Sequence, residues 1–230
     1  MRGIDVSVHN GDVDMQCVKD AGYDFVIIRA GYGKYASQKD QKFEANYLNA
    51  VRAGLHVGAY WYSYATTAKE ALEEAKVFAE VIRNKIYDMP IYLDLEESKS
   101  LANAMEVANA FLTYMESLGY YVGIYSSKSM LETYMPGITS KYSGWVAQWA
   151  DKCTYSGQYA MWQKSEKGRV TGVNGYVDLD ECLDDKLPIT IQTGGYNGYP
   201  KGFDPSGEHG HKIEVYIDGT KVFEKSIPRD

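Results

Sequence analysis

The sequence predicts an α/β protein, and three observations carry that prediction. Short apolar runs alternate with helical patterns through residues 1–180, and such alternation builds right-handed βαβ units and a mostly parallel sheet. About eight strands can be counted, a number that suits closure into a barrel. No Gly-x-Gly-x-x-Gly follows the first strand, which argues against an open dinucleotide-binding sheet. The expected fold is an irregular (β/α), TIM-like barrel with a short C-terminal β appendage.

Each predicted strand is a short apolar or aromatic run, and each predicted helix repeats apolar residues at three- and four-residue spacing. Strands are predicted at Gly3–Ser7, Phe25–Arg29, Leu55–Ser63, Pro90–Glu96, Tyr121–Ser126, Trp145–Trp149, Tyr159–Gln163 and Tyr176–Leu179. Helices are predicted at Val13–Ala21, Phe43–Ala53, Thr67–Ile86, Ser100–Leu118 and Lys128–Tyr134. Gly54 and Gly119 suit helix C-caps, and Thr67 with Glu70 suits a capping box. Ala30–Gly33 reads as a glycine-rich turn.

The texture of the sequence changes at Leu187, so we divide the chain into a barrel at 1–186 and a β-rich appendage at 187–230. The appendage is too short to be expected to fold alone. Its predicted parts are a strand at Pro188–Thr193, a loop at Gly194–Gly202, and a hairpin of Ile213–Ile217 with Lys221–Glu224 around an Asp218-Gly219 turn.

Composition excludes several classes of function. Asp and Glu number 31 against 24 Lys and Arg, and no basic cluster marks a nucleic-acid surface. No apolar run approaches the ~20 residues of a membrane span, and no signal peptide is visible at the N-terminus. The 3 cysteines are scattered, which argues against a disulfide framework and a zinc site. We expect a monomer that needs neither metal nor organic cofactor.

Two carboxylates, Asp94 and Glu96, close the fourth predicted strand. Residues i and i+2 of a strand point to one face, about 6.5–7 Å apart along the backbone. A pair of carboxylates facing one cleft can carry out glycoside hydrolysis. The alternative is a strand end with two exposed acids.

Further acids recur where barrel strands should end. Asp5 lies on the first strand, and Asp178 and Asp180 lie on the last. Closure makes the first and last strands neighbours, so Asp5 and Asp178 should approach each other and the Asp94–Glu96 pair. Clustered carboxylates cannot all ionise freely, so at least one pKa should rise and supply a general acid.

Aromatic and amide side chains gather at the same strand ends, in a chain with 21 Tyr and 4 Trp. Flat rings with polar edges suit sugars, whose C–H faces stack and whose hydroxyls need hydrogen bonds. The alternative for each ring is core filling. The residues predicted to bind substrate are Tyr60, Trp61, Tyr62, Tyr125, Trp145, Gln148, Trp162 and Arg29.

Eight segments in order carry a resemblance to a known family. They are Asp5–Gly11, Phe25–Gly33, Ala53–Tyr62, Pro90–Glu96, Gly123–Ser126, Trp145–Gln148, Met161–Gln163 and Gly175–Asp180. Together they closely resemble glycoside hydrolase family 25, the Chalaropsis-type muramidases of bacteria, fungi and phage endolysins. The resemblance runs from Gly3 to about Leu183, and the appendage lies outside it.

The resemblance implies an irregular α/β barrel that acts on the bacterial cell wall, either secreted or released during phage lysis. The implied reaction cleaves the β-1,4 bond from N-acetylmuramic acid to N-acetylglucosamine in peptidoglycan. The family's catalytic residues map onto Asp5, Asp94, Glu96 and Asp178. The appendage does not look like the choline-binding, LysM or SH3 repeats that often follow such barrels.

Glu96 is the expected proton donor and Asp94 its partner. The i,i+2 spacing alone fits both retaining and inverting geometry. The family is similar to retaining enzymes in which the substrate's own acetamido group attacks the anomeric carbon, which implies retention with Asp94 orienting that group. A covalent role for Asp94 is the alternative mechanism. Two rival functions are a non-catalytic wall-binding module and a chitinase-like hydrolase.

Overall fold

A computed structural model describes residues 1–184, 186–188, 212–217 and 220–226. Eight strands close into a barrel in chain order, with helices packed outside. The strands are β1 Arg2–Val6, β2 Phe25–Tyr32, β3 His56–Tyr62, β4 Ile91–Asp94, β5 Val122–Ser127, β6 Ser143–Ala147, β7 Met161–Gly168 and β8 Val177–Cys182. The helices are α1 Met15–Asp20, α2 Phe43–Arg52, α3 Ala68–Ile82, α4 Ala104–Ser117 and α5 Lys128–Tyr134. The predicted barrel is confirmed.

One strand makes the barrel irregular. Neighbouring strands from β1 to β7 pair in parallel, whereas β8 runs antiparallel to both β7 and β1. No α-helix separates β6 from β7 or β7 from β8. The mouth of the barrel is therefore formed by the C-terminal ends of seven strands and the N-terminal end of β8.

Some predicted boundaries differ from the structure. The helix predicted to reach Ile86 ends at Ile82, and Asn84 then adopts a left-handed φ of 62°. The predicted turn at Ala30–Gly33 is mostly strand, because β2 continues to Tyr32 with a shift of register between Arg29 and Gly31. Strand β4 ends at Asp94, so Glu96 lies just beyond it.

The apolar core has two layers separated by the sheet. Along β2 the side chains alternate, so that Phe25 and Ile27 fill the barrel interior while Val26 and Ile28 face the helices. Phe25 and Ile27 of the interior layer lie toward the lower end of the barrel, where the parallel strands begin, whereas Tyr60 and Tyr125 of the same layer reach the mouth. The polar residues of the barrel interior lie at the mouth.

The C-terminal strands β9 Lys212–Ile217 and β10 Thr220–Ser226 pair antiparallel, which confirms the two strands of the predicted hairpin. The predicted turn residues 218–219, and the strand and loop predicted over 189–202, lie outside the described residues. Leu187 is buried among the interior residues of the barrel. The division of the chain after residue 186 stays a prediction. Among the described residues, no helix has the length and apolar character to cross a membrane.

Candidate active site

Five carboxylates meet at the mouth of the barrel. Asp5 and Asp178 are direct partners in the antiparallel pairing of β1 with β8, and Asp180 lies opposite Gly3. Asp94 ends β4, and Glu96 follows it by two residues. The topology causes this convergence, because parallel strands deliver their C-terminal ends to one face. The structure brings together Asp5, Asp94, Glu96 and Asp178, as the sequence predicts. Asp180 is the fifth carboxylate of the group.

Burial raises the pKa of every carboxyl in this group. Burial, then the charges of Asp180 and Asp178, raises the pKa of Asp5 well above its usual range. Burial and then Glu96 do the same for the pKa of Asp94, and burial followed by Asp178 and Glu97 raises the pKa of Glu96.

Two members of the group have raised values near neutrality. Burial raises the pKa of Asp178 to about 6 and that of Asp180 to about 8. Because the ionised forms are costly in this mouth, the group retains protons at pH values where exposed carboxyls have lost them. The site can therefore donate a proton.

Hydrogen bonds from both neighbouring strands hold the main chain that carries Asp94 and Glu96. The Ser63 N–H donates to the Asp94 carbonyl at 2.9 Å, and the Leu95 N–H donates to the Tyr125 carbonyl at 3.1 Å. The Ser126 hydroxyl donates to the Leu95 carbonyl at 2.7 Å. The Asp94 side chain is 5 % exposed, and its Oδ1 meets no hydrogen-bond donor among the described residues.

Arg29 brings a positive charge to this acidic mouth. Its Nε donates to Asp40 Oδ2 at 2.8 Å, and the Asp40 side chain is fully buried. Asp40 also accepts hydrogen bonds from the main-chain N–H groups of Val8 and Lys42, so the guanidinium is anchored. The charge of Arg29 partly opposes the rise in the pKa of Asp94.

Gln163 connects the acids to the aromatic side chains, a role that our sequence prediction did not assign. Its Nε2 donates to Asp5 Oδ2 at 2.9 Å. Its Oε1 accepts from the Tyr125 hydroxyl at 3.0 Å and from Trp149 Nε1 at 3.1 Å. Gln163 belongs to one of the segments that resemble the family. Its amide reaches Asp5 because β8 pairs with both β7 and β1, a contact that the sequence alone does not reveal.

Two tryptophans predicted to bind substrate face away from the mouth. Trp61 is fully buried, with its ring 5.3 Å from Phe78 of α3. Trp162 is the register partner of Val146, which lies on the outer face of the sheet. The Trp162 Nε1 donates to the Gln148 carbonyl at 2.7 Å. Strand alternation is the reason, because the neighbours Tyr60 and Gln163 point inward. The prediction that these two rings contact sugar is wrong.

Trp145 and Gln148 also make structural contacts, and the predicted contact of Gln148 with substrate stays a prediction. Trp145 is 1 % exposed and lies beneath the mouth, 4.5 Å from the Tyr125 ring. Its Nε1 donates to Asp180 Oδ1 at 2.8 Å. The Gln148 side chain accepts from the Thr154 N–H at 2.7 Å, so it holds the loop that carries Trp149. Direct contact of Trp145 with substrate is therefore excluded by its burial.

Three of the predicted tyrosines do lie at the acids. Burial and the charges of Asp5 and Asp94 raise the hydroxyl pKa of Tyr60. Burial also raises the hydroxyl pKa of Tyr125, and Asp94 is the charge that contributes most to this rise. Tyr62 is half-buried and is the register partner of Asp94.

The rim of the mouth carries exposed rings that are absent from the list of residues predicted to bind substrate. The Tyr64 ring lies 5.1 Å from the Tyr62 ring and 6.0 Å from the Tyr32 ring. Trp149 is 58 % exposed and Tyr176 56 %. Each of these residues lies at the mouth end of a strand or just beyond it. That position in the sequence could have predicted that their rings border the cleft.

Comparison with known proteins agrees with this geometry. The model of the family "Glycosyl hydrolases family 25" matches residues 4–173. Lysozyme M1 of Streptomyces globisporus is 32% identical over 200 residues, covering 79% of this chain and 67% of that protein. The autolytic lysozyme of Clostridium acetobutylicum is 28% identical over 184 residues, covering 79% of this chain.

The chain spans only 55% of the length of that clostridial relative. Among solved structures, the bacterial lysozyme from Streptomyces coelicolor superposes with a TM-score of 0.70 at 30% identity, over 80% of this chain and 92% of that one. The chain belongs to glycosyl hydrolases family 25, and its barrel is a glycoside hydrolase domain of the lysozyme type.

Proposed function

We propose that the protein is an N-acetylmuramidase that hydrolyses the β-1,4 bond from N-acetylmuramic acid to N-acetylglucosamine in bacterial peptidoglycan. The observation that carries the proposal is the Asp94–Glu96 pair at the mouth of a family 25 barrel, with both carboxyl pKa values raised. Its site of action is the bacterial cell wall. The appendage has no assigned part in the reaction.

Glu96 is the general acid in this proposal. Its position beyond the end of β4 leaves the carboxyl half-buried at the mouth. Burial and the neighbouring Asp178 raise its pKa, so the carboxyl keeps its proton to a higher pH than an exposed glutamate does. In the first step the proton passes to the leaving glycosidic oxygen as the bond to the anomeric carbon breaks. Proton donation of this kind typically contributes about 10²–10⁴-fold to the rate.

Asp94 orients the substrate's acetamido group. The Asp94 Oδ1 is buried without a donor among the described residues, and the acetamido N–H would supply one. The acetamido oxygen then attacks the anomeric carbon and forms a cyclic oxazolinium intermediate. Water, deprotonated by the Glu96 carboxylate, opens that ring, so two displacements give net retention. Direct attack by Asp94 is the alternative route to retention.

Asp5 and Asp178 support these steps through charge and hydrogen bonding. Gln163 fixes the Asp5 carboxyl from one side, and Asp178 lies beside it in register. When Asp178 is ionised, above its pKa of about 6, its negative charge stabilises the positive charge that develops at the anomeric carbon.

The glycan strand is bound by the tyrosines at the acids and by the rim. Tyr60, Tyr62 and Tyr125 border the bond to be cleaved, with Arg29 as the nearby cation. Exposed rings at the rim offer faces for neighbouring sugars; they are Tyr32, Tyr64, Trp149 and Tyr176.

Digestion of purified peptidoglycan, with the new reducing ends identified after borohydride reduction, tests the proposal. New N-acetylmuramic acid ends are expected. N-acetylglucosamine ends would identify a glucosaminidase, and preferential cleavage of plain N-acetylglucosamine polymers would identify a chitinase-like enzyme. Binding without new ends would identify a wall-binding module.

A further inference from the structure

A second buried carboxylate lies outside the cluster at the mouth. Glu74, in the middle of α3, is 2 % exposed. Its Oε2 accepts from the Ser63 hydroxyl at 2.6 Å, and its Oε1 accepts from the Tyr64 N–H at 3.0 Å. Both partners belong to the connection that leads from β3 into α3.

The chemistry of these partners requires an acceptor-only side chain. The Ser63 hydroxyl already accepts from the Ala65 N–H at 3.2 Å, so its own proton is directed to Glu74. The Tyr64 N–H is a second donor. A carboxylate satisfies both donors, whereas an amide or a protonated acid would turn one donor toward another.

The connection held by Glu74 reaches the active site at two points. The Ser63 N–H donates to the Asp94 carbonyl at 2.9 Å. The Tyr64 ring lies 5.1 Å from the ring of Tyr62, which is the register partner of Asp94. A shift of the Ser63–Ala65 segment would therefore move both the rim aromatics and the main chain of Asp94.

We propose that Glu74 is a positioning residue of the active site, which holds the Ser63–Ala65 segment so that Tyr62 and Tyr64 face the bound glycan. This inference rests on the proposed muramidase function. Burial raises the pKa of Glu74 to about 7, and the nearby charges are Glu70 and Lys34. A buried acid without a directly bonded cation costs stability, which argues for a task at the site.

The test measures glycan binding separately from catalysis. All variants are made in a Glu96→Gln background so that peptidoglycan glycan fragments stay intact, and Kd is measured by titration calorimetry. Glu74→Gln should raise Kd about tenfold, with the thermal midpoint within about 4 °C. Glu80→Gln is the matched control, because Glu80 lies on the same helix in a surface pair with Arg83. It should leave Kd unchanged.

A coupling experiment separates positioning from general structural support. In a Tyr64→Ala background one of the two rings to be positioned is gone, so Glu74→Gln should change Kd by clearly less than tenfold, about threefold. A full tenfold effect in that background, or an unchanged Kd for Glu74→Gln beside a lowered thermal midpoint, would overturn the proposal.

Ser63→Ala is the second variant, in case Glu74→Gln does not fold. It removes one of the two donors and should raise Kd about threefold; an unchanged Kd would again overturn the proposal. Failure of the muramidase function would look different, because the protein with Glu96 restored would then release no reducing N-acetylmuramic acid ends from peptidoglycan.

Discussion

The two ends of the barrel interior differ in chemistry although the same strands build them. The lower end is apolar, with Phe25, Ile27 and Met161 fully buried. The mouth holds buried carboxylates whose pKa values are all raised. Apolar burial stabilises the fold, whereas burial of acids costs stability. The lower end therefore contributes stability to the barrel, and the mouth uses part of that stability to hold buried acids. This difference shows that the mouth is arranged for reactivity rather than for stability.

Asp94→Asn should separate the two ends most clearly. The amide keeps the shape of the side chain but replaces one acceptor oxygen by an N–H donor, and it can no longer share a proton with the neighbouring Glu96. We expect cleavage of peptidoglycan to fall by about 10²–10⁴-fold, a loss comparable to that of a general acid, with little change in the thermal midpoint. A large loss of stability with normal specific activity would make Asp94 a structural acid.

Phe25→Ala should have the opposite profile. Phe25 is fully buried at the lower end of the interior, and truncating a core aromatic residue typically costs about 3–5 kcal/mol. Denaturant unfolding should show that loss, while the kcat of the folded fraction stays within about twofold of wild type. A strong fall in kcat would mean that the two ends are not independent.

Asp180→Asn should stabilise the protein at alkaline pH. The pKa of Asp180 is raised to about 8 from its ordinary value of 3.8, so the folded state keeps a proton that the unfolded state loses between those values. Stability of the wild type should therefore fall as pH rises through this window, by about 1.4 kcal/mol per pH unit for each such proton.

Asparagine removes that titration and keeps an acceptor for Trp145 Nε1. Unfolding curves at pH 5 and pH 8 should show the variant gaining on the wild type as pH rises. If both proteins lost stability equally between the two pH values, Asp180 would not be the titrating group.

Trp149→Ala and Trp162→Ala should sharpen the contrast between rim and core. Trp149 is 58 % exposed, whereas Trp162 is 7 % exposed. Removing the exposed ring should weaken glycan binding by about 1 kcal/mol, or roughly fivefold in Kd, with little loss of stability. Trp162→Ala should mainly lower the thermal midpoint. Weaker glycan binding by this variant at an unchanged thermal midpoint would show instead that Trp162 contacts the glycan.

The sequence was sufficient for the architecture and for the acids. Alternation of strands with helices predicted the barrel, and closure of that barrel predicted that Asp5 and Asp178 lie side by side, as they do. Helix ends marked by glycine were also predictable, since Gly54 and Gly119 both have positive φ.

The orientation of individual side chains could not be predicted as well. Trp61 and Tyr62 are neighbours in the chain, and only the inward face of β3 decides which of them meets the acids. Alternate residues of a strand face opposite sides, but β3 carries aromatic residues on both faces, so the sequence did not show which face points inward. The predicted sixth strand ran to Trp149, whereas β6 ends at Ala147, so Trp149 lies on the loop beyond the strand. Gln163 gained its role from contacts with distant strands.

The rate of Glu96→Gln on purified peptidoglycan tests the central claim most directly. Glutamine keeps the size of the side chain but has no proton to donate to the leaving oxygen. The release of reducing N-acetylmuramic acid ends should fall by at least about 10²-fold, while far-UV circular dichroism and the thermal midpoint match the wild type. Turnover at the wild-type rate by a folded Glu96→Gln protein would contradict the assignment of Glu96 as the catalytic acid.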